Sequence, residues 1–336
     1  MSGLRVLVLE REKFPREKVC GDCLNPACWP VLERLALAPA VRALPHGKLD
    51  AVEFIAIGGT TARVELPSGD QAEIAVKRSL FDQLLLTRAG QLGTEIHEAA
   101  TVTALAREPS GDWKIEVGGE KFFARTLVGA DGRNSTVARL CHISSRPQRE
   151  RVALQAHIPL PGGFGNRVIL QFLPEGYSGQ APVNENELNV CLVGRPRHLE
   201  ALKQWANKRF DVSPEHPWRT ITPLTRAPMA PAHDNLFFIG DAARVVEPFT
   251  GEGIYYALRS GELAADAITQ INRGKDRQTA LRAFRRAHAA MYRGRLWVNE
   301  LARAAVLSPR IASAFVRVAR MQPAVLRLFT AKIVRL

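Results

Sequence analysis

The 336-residue chain has five cysteines, an odd number, so a disulfide framework does not organise it and a reducing, cytoplasmic setting is the natural reading. Aromatic residues are few, 7% of the chain, and sparse in its basic end; with no recognised binding motif there, nucleic acid is not an expected partner. No apolar run approaches the roughly eighteen residues that a membrane-crossing helix needs. The opening MSGLRVLVLEREKF passes from a short apolar run straight into charges, unlike a secretory signal. No internal repeat and no low-complexity tract occurs.

What is present is a composition of ordinary globular type, 46% apolar and 24% charged, long enough for two domains or for one with a large insertion. The net charge of +13 sits at one end. From Asn272 to Leu336 there are fifteen Lys or Arg against Asp276 and Glu300, and the rest of the chain is balanced. Within that tail IASAFVRVARM and AVLRLFTAKIVRL space bulky apolar residues and Arg as an amphipathic surface helix does. Packing against the protein's own body and peripheral contact with a membrane both satisfy that pattern.

The pattern along the chain reads as α/β interrupted twice by β structure. LRVLVLE is a buried parallel strand ending at Glu10. A short helix is predicted at Pro30 to Leu37, antiparallel strands from Leu49 to Lys77, and a helix from Ser79 to Gly93. Strand, hairpin and strand follow from Thr94 to Asp131, and a second alternating block runs from Arg151 to Gly194. The strand Asn235 to Ile239 then feeds a long helix from Gly253 to Asn272, with a helical remainder.

The stretch KVCGDCLNPAC gathers Cys20, Cys23 and Cys28. Its spacing offers only three ligands, with Cys141 and Cys191 distant and no His beside it, so no metal site is expected. A redox CxxC pair fits the spacing but lacks the strand-to-helix context that activates such thiols. Three other motifs carry more. Glu10, followed by Arg11, ends a strand where a carboxylate can accept from ribose hydroxyls. GADGRNSTV places Gly129, Asp131 and a capping Ser135 between a strand and a helix. LFFIGDAARVVEPFTGEGIYYALRSGELAA delivers Gly240 and Asp241 from a strand, turns at Pro248, and opens a helix at Gly251 to Gly253, whose free N–H groups suit an electron-rich ring edge.

Together these motifs resemble the glutathione-reductase-type FAD flavoproteins of the para-hydroxybenzoate hydroxylase superfamily. KVCGD, PFTGEGI and ALRSG are most similar to its geranylgeranyl reductase branch. The resemblance implies FAD as cofactor, NAD(P)H or another reductant as electron donor, and no metal. It assigns Glu10 and Arg11 to the adenosine ribose, Val102 to the adenine, and Arg78 to a helix start near the flavin. Asp131 lies beside the pyrophosphate, and Gly240 and Asp241 contact the ribityl chain or pyrophosphate. Pro248, Gly251, Gly253 and Ile254 back the isoalloxazine. Cys20, Gly21 and Cys23 belong to a loop over the flavin, with Cys20 and Tyr177 the candidate catalytic groups.

The implied fold is a Rossmann-like FAD domain made of 1–47, 77–140 and 227–272. A mostly antiparallel β substrate domain comprises 48–76 and 141–226, and a basic helical region 273–336. Two departures bear on this. The family's first strand and GxGxxG turn precede the ribose-binding acid, whereas this sequence starts shortly before Glu10; it reads as a shortened form of a longer protein that binds FAD weakly or not at all. The family's aromatic string near Gly176-Tyr177 also lacks its Trp here. Reduction of C=C bonds in a hydrophobic, isoprenoid or lipid-like substrate is the leading expectation. Hydroxylation of an aromatic or polyketide-type molecule and a non-catalytic flavoprotein remnant are the alternatives. His157, alone on an alternating strand, reads as structural.

Overall fold

A computed structural model describes residues 3–143, 147–148 and 151–321. The tail segment AVLRLFTAKIVRL lies outside the described residues. The chain runs β1 (Leu7–Leu9), β2 (Cys23–Leu24), α1 (Trp29–Arg34), α2 (Ala38–Arg42), β3 (Gly47–Leu49), β4 (Ala51–Ile55), β5 (Thr61–Glu65), β6 (Glu73–Ala75), α3 (Arg78–Gln91) and β7 (Glu95–His97). An antiparallel ribbon of β8 (Val102–Arg107), β9 (Trp113–Val117) and β10 (Glu120–Ala124) leads to β11 (Leu127–Gly129) and α4 (Thr136–Leu140). Then come β12 (Pro147–Gln148), β13 (Val152–Pro159), β14 (Arg167–Leu173), β15 (Gly176–Pro182), β16 (Glu187–Gly194), α5 (Leu199–Phe210) and β17 (Arg219–Ile221). β18 (Thr225–Arg226), β19 (Ala232–His233), β20 (Leu236–Phe238), α6 (Gly253–Asn272), α7 (Arg277–Met291), α8 (Leu296–Leu307) and α9 (Pro309–Met321) complete it.

The two β excursions meet in one sheet of order β17-β13-β16-β15-β14-β4-β5. β4 and β5 form an antiparallel hairpin turned by Gly58 and Gly59, both at positive φ, while β4 joins β14 in parallel, so the sheet is mixed. Alternation gives it two apolar faces. Leu154, Ala156, Ile158, Leu188, Val190 and Leu192 turn one way, onto Leu202 and Ala206 of α5. Ala153, Phe172, Tyr177 and Val193 turn the other way, where Ala312, Val316 and Ala319 of α9 cover them. Burial on both faces explains why β13 and β16 are apolar along most of their length.

The parallel strands form separate ladders: β1 pairs with β7 and β11 with β20, and among the described residues no ladder joins the two pairs. Leu9, Leu127, Phe238 and Ala138 nevertheless share one apolar cluster with the β8–β10 ribbon. α6 packs on the β20 side and α7 on α6 through Ala264, Ala267, Leu281 and Phe284. Tyr256 and Tyr292 stack with ring centroids 4.5 Å apart. The basic tail is thus partly core: α7 and α9 each bury an apolar face against the rest of the chain.

Candidate active site

Glu10 follows β1, half-buried, its N–H donating to His97 and its carboxylate accepting from the Glu12 N–H at 3.0 Å. Arg11 points outward and pairs with Glu12. The Ala100 N–H donates to the Glu10 carbonyl, which brings Val102, at the start of β8, to the same edge. Glu10 and the start of β8 thus lie at one edge, with Arg11 turned to solvent.

The GADG turn leaves β11 at Gly129, where a Cβ would lie 2.7 Å from the Phe238 ring; glycine there lets β11 and β20 pack. Asp131 accepts from the Val137 N–H at 2.9 Å, and the Ser135 hydroxyl from the Ala138 N–H at 3.0 Å, which together fix the start of α4. Gly240 adopts φ +54° and its N–H donates to the Ser260 hydroxyl at 2.8 Å, drawing α6 against the turn. Asp241 then receives Arg133 at 3.0 Å, while Arg226 donates to the Asp241 carbonyl, also at 3.0 Å. Arg133 Nη1 and Arg226 Nε are buried with no hydrogen-bond partner. Unpaired guanidinium N–H groups beside this turn fit the diphosphate of FAD.

The PFTGEG turn spans Pro248–Thr250 and reverses at Gly251, whose φ of +68° calls for glycine. Gly253 and Gly21 have ordinary φ, and a Cβ on either would meet nothing within 4 Å. Packing within the protein does not require glycine at either position; what these residues preserve is open space, which fits a flat ring lying against both loops. Ile254 is buried in the core behind.

Two carboxylates flank this turn, and both are buried. Glu247 forms a bidentate pair with Arg151 at 2.7 and 3.0 Å, each side chain 2% exposed. Glu252 pairs with Arg295, which precedes α8, and accepts from Asn299. Asn299 in turn accepts from the Glu247 N–H at 3.0 Å. Sequence reading missed Arg133, Arg151, Arg226, Arg295 and Asn299. The available signal was two acids five residues apart at one strand-to-helix turn, since carboxylates buried there require partners.

Arg78 opens α3 and holds Asp82 bidentately, both contacts 2.8 Å, with Arg16 on the same carboxylate at 2.8 Å. Burial disfavours the Arg78 charge, but Asp82 and the Cys20 sulfur outweigh it and the pKa is raised. Arg78's charge, then burial, pulls the Lys18 ammonium below its usual range. The cysteines go three ways. Cys20 faces Arg78. Cys23, in β2, packs with Leu49 and Ala75, and burial raises its thiol. Cys28 is core beneath Trp29, its thiol likewise raised by burial. Among the described residues no group of metal-ligating side chains assembles.

Tyr177 lies 4% exposed on β15, edge-on to Phe249 of the PFTGEG turn at 5.3 Å. Phe172 stacks on Phe249 at 5.8 Å and Phe54 tilts toward it at 6.3 Å. Burial, then the Glu247 charge, raises the Tyr177 phenol well above its ordinary range, so it stays protonated. His157 is not isolated: its Nε2 lies 2.7 Å from the fully buried Asp22 carboxylate beneath the cysteine loop.

Residues 1–159 match the model of a family described as an FAD binding domain. A menaquinone reductase of Mycolicibacterium smegmatis is 28% identical over 80% of this chain and 71% of its own length. A digeranylgeranylglycerophospholipid reductase of Methanococcoides burtonii is 27% identical over 67% of this chain. This chain spans only 60% of that relative's length. In fold it resembles PqsL, a probable FAD-dependent monooxygenase from Pseudomonas aeruginosa, with TM-score 0.76, 20% identity and 93% of both chains covered. The flavin-dependent halogenase CmlS superposes with TM-score 0.73 and 22% identity over 87% of this chain and 58% of its own. With the Glu10 edge, the arginine-flanked GD turn and the PFTGEG turn assembled as described, the first half of the chain matches an FAD binding domain and the chain as a whole is similar to FAD-dependent oxidoreductases.

Proposed function

We propose that this chain reduces C=C bonds of a hydrophobic, isoprenoid or lipid-like substrate with FAD, reloaded by NAD(P)H or another reductant. The observation that carries this reading is the sheet face presented to the PFTGEG turn. Phe54, Phe172 and Tyr177 surround Phe249 there. Packed on one another and under α9, these rings keep water from the inner side of the turn, as hydride transfer to an apolar chain needs. The names of the two reductase relatives point the same way.

Bound FAD supplies the hydride chemistry, and the protein supplies position and protons. Glu10, Arg11 and Val102 would hold the adenosine end. Asp131, Gly240 and Asp241, with Arg133 and Arg226, would hold the diphosphate and ribityl chain. Pro248, Gly251, Gly253, Ile254, Gly21 and Cys23 would frame the ring. Tyr177 and Cys20 are the proton-bearing groups on the substrate side, and Tyr177 keeps its proton through burial. In this reading 1–47, 77–140 and 227–272 form the cofactor domain and 48–76 with 141–226 the substrate domain.

A lipid-like substrate is met at a membrane surface. No described helix is long and apolar enough to cross a membrane, but α9 leaves Ile311 69% and Val318 57% exposed among Arg310, Arg317 and Arg320. That outer face supports peripheral contact with anionic lipid. Incubating the FAD-supplemented protein with dithionite and a geranylgeranyl lipid that carries no quinone, beside a control without protein, tests the reading. Product two mass units heavier supports it, and unchanged substrate counts against it.

A further inference from the structure

One face of the substrate sheet holds the cysteine loop from below. Register sets Gln155 opposite Cys191 and His157 opposite Asn189, on the face that also carries Ala153, Val193 and Tyr177. From this face Asn189 Nδ2 donates to the Cys20 carbonyl and to Asp22 Oδ2, both at 2.8 Å. The Cys191 thiol lies 3.3 Å from the same Cys20 carbonyl. His157 Nε2 reaches Asp22 Oδ2 at 2.7 Å, and its Nδ1 lies 4.0 Å from Glu17.

Asp22 has every reason to let go. It is fully buried, its backbone sits at φ +60°, and its Oδ1 has no partner. An aspartate in that conformation at zero exposure costs free energy that only its contacts offset. Those contacts come from β13 and β16, and its own carbonyl accepts from the Val76 N–H. Cys20 of the same loop is half-buried and packs against the cluster that holds Trp29, Phe81 and Ile254, and its sulfur interacts with Arg78.

We propose that His157 and Asn189 are positioning residues for Cys20: through Asp22 and the Cys20 carbonyl, the substrate sheet sets where the thiol stands beside Arg78. The sheet and the thiol then move as one unit. A disturbance on the sheet's inner face is transmitted to Cys20 through two side chains. Beside the grip, Gln155 is fully buried with neither amide atom hydrogen-bonded, so this face still has polar capacity to bind.

The inference does not require the C=C substrate reading, and its test uses no substrate. The full chain is treated with iodoacetamide, and alkylation of Cys20 is followed by peptide mass spectrometry against a Cys20→Ala control. His157→Leu and Asn189→Ala are expected to speed Cys20 alkylation about tenfold, the loss of roughly one well-made hydrogen bond to a charged group. His157→Gln, which can still donate to Asp22, should stay close to the parent rate. Near-UV circular dichroism identifies variants that have lost the fold; should His157→Leu do so, Asn189→Ala and His157→Gln still decide. A folded Asn189→Ala protein with the parent rate would overturn the proposal. So would a His157→Gln protein as reactive as Asn189→Ala, because a merely space-filling histidine is not rescued by a hydrogen-bond donor.

Discussion

Arg133 and Asp241 lie 108 positions apart and meet at 3.0 Å, joining the GADG turn to the GD turn. Arg133 spends one amino group on Asp241 and keeps the other buried and unpaired. In the proposed reading that second group meets the FAD diphosphate. Arg133→Met should weaken FAD binding about tenfold, the scale of one charge-assisted hydrogen bond. Titrated flavin fluorescence measures this. Riboflavin, which has no phosphate, should bind both proteins alike; an equal loss for riboflavin would move Arg133 away from the diphosphate.

The pair Arg151 and Glu247 ties the start of β13 to the residue before the PFTGEG turn with almost no solvent contact. Removing one partner leaves the other charge buried, so Arg151→Met should cost about 3–5 kcal/mol in urea denaturation. Arg151→Met combined with Glu247→Leu should recover much of that loss. Equal destabilisation of the single and double variants would mean that shape rather than charge holds the turn.

Much of this site was legible in the sequence because its parts are local. A strand ending in Gly240-Asp241, a turn at Pro248 and a helix from Gly253 are fixed by backbone chemistry within one short stretch, and α6 spans Gly253–Asn272 as the pattern predicts. Ser135 caps α4 for the same reason. The partners were not legible. Arg151, Arg295 and Asn299 reach the turn from distant segments, and no periodicity announces which arginine of a basic chain is buried. His157 reads as structural in sequence, yet it grips Asp22 across 135 positions. Two-sided apolar strands such as β13 likewise hide which residues face the loop until register is known.

Glu73 on β6 predicts a pH signature. It is 8% exposed, and burial raises its carboxyl from 4.5 to about 7. The folded state holds this proton more tightly than the unfolded chain. The resulting stability is fully present below pH 4.5 and lost as pH rises through 7, on the order of 3 kcal/mol. Glu73→Gln should therefore raise Tm at pH 8 and leave it nearly unchanged at pH 4. A Tm difference that is the same at both pH values would contradict the assignment.

The outer face of α9 predicts binding to anionic vesicles. Deleting the whole basic tail is a poor test, because α7 contributes Leu281 and Phe284 to the core. Ile311→Asp with Val318→Asp changes only exposed positions. The parent should float with phosphatidylglycerol vesicles and not with phosphatidylcholine, and the double variant should float with neither. Equal flotation of parent and variant would remove α9 from membrane contact.

In the proposed reaction the flavin delivers reducing equivalents to a C=C bond. Anaerobic stopped-flow mixing of the dithionite-reduced, FAD-supplemented protein with an isoprenoid lipid reads it directly. Flavin reoxidation without oxygen and a product heavier by two mass units are expected. Reoxidation only when oxygen is admitted, with a product heavier by sixteen, would contradict it and identify a monooxygenase.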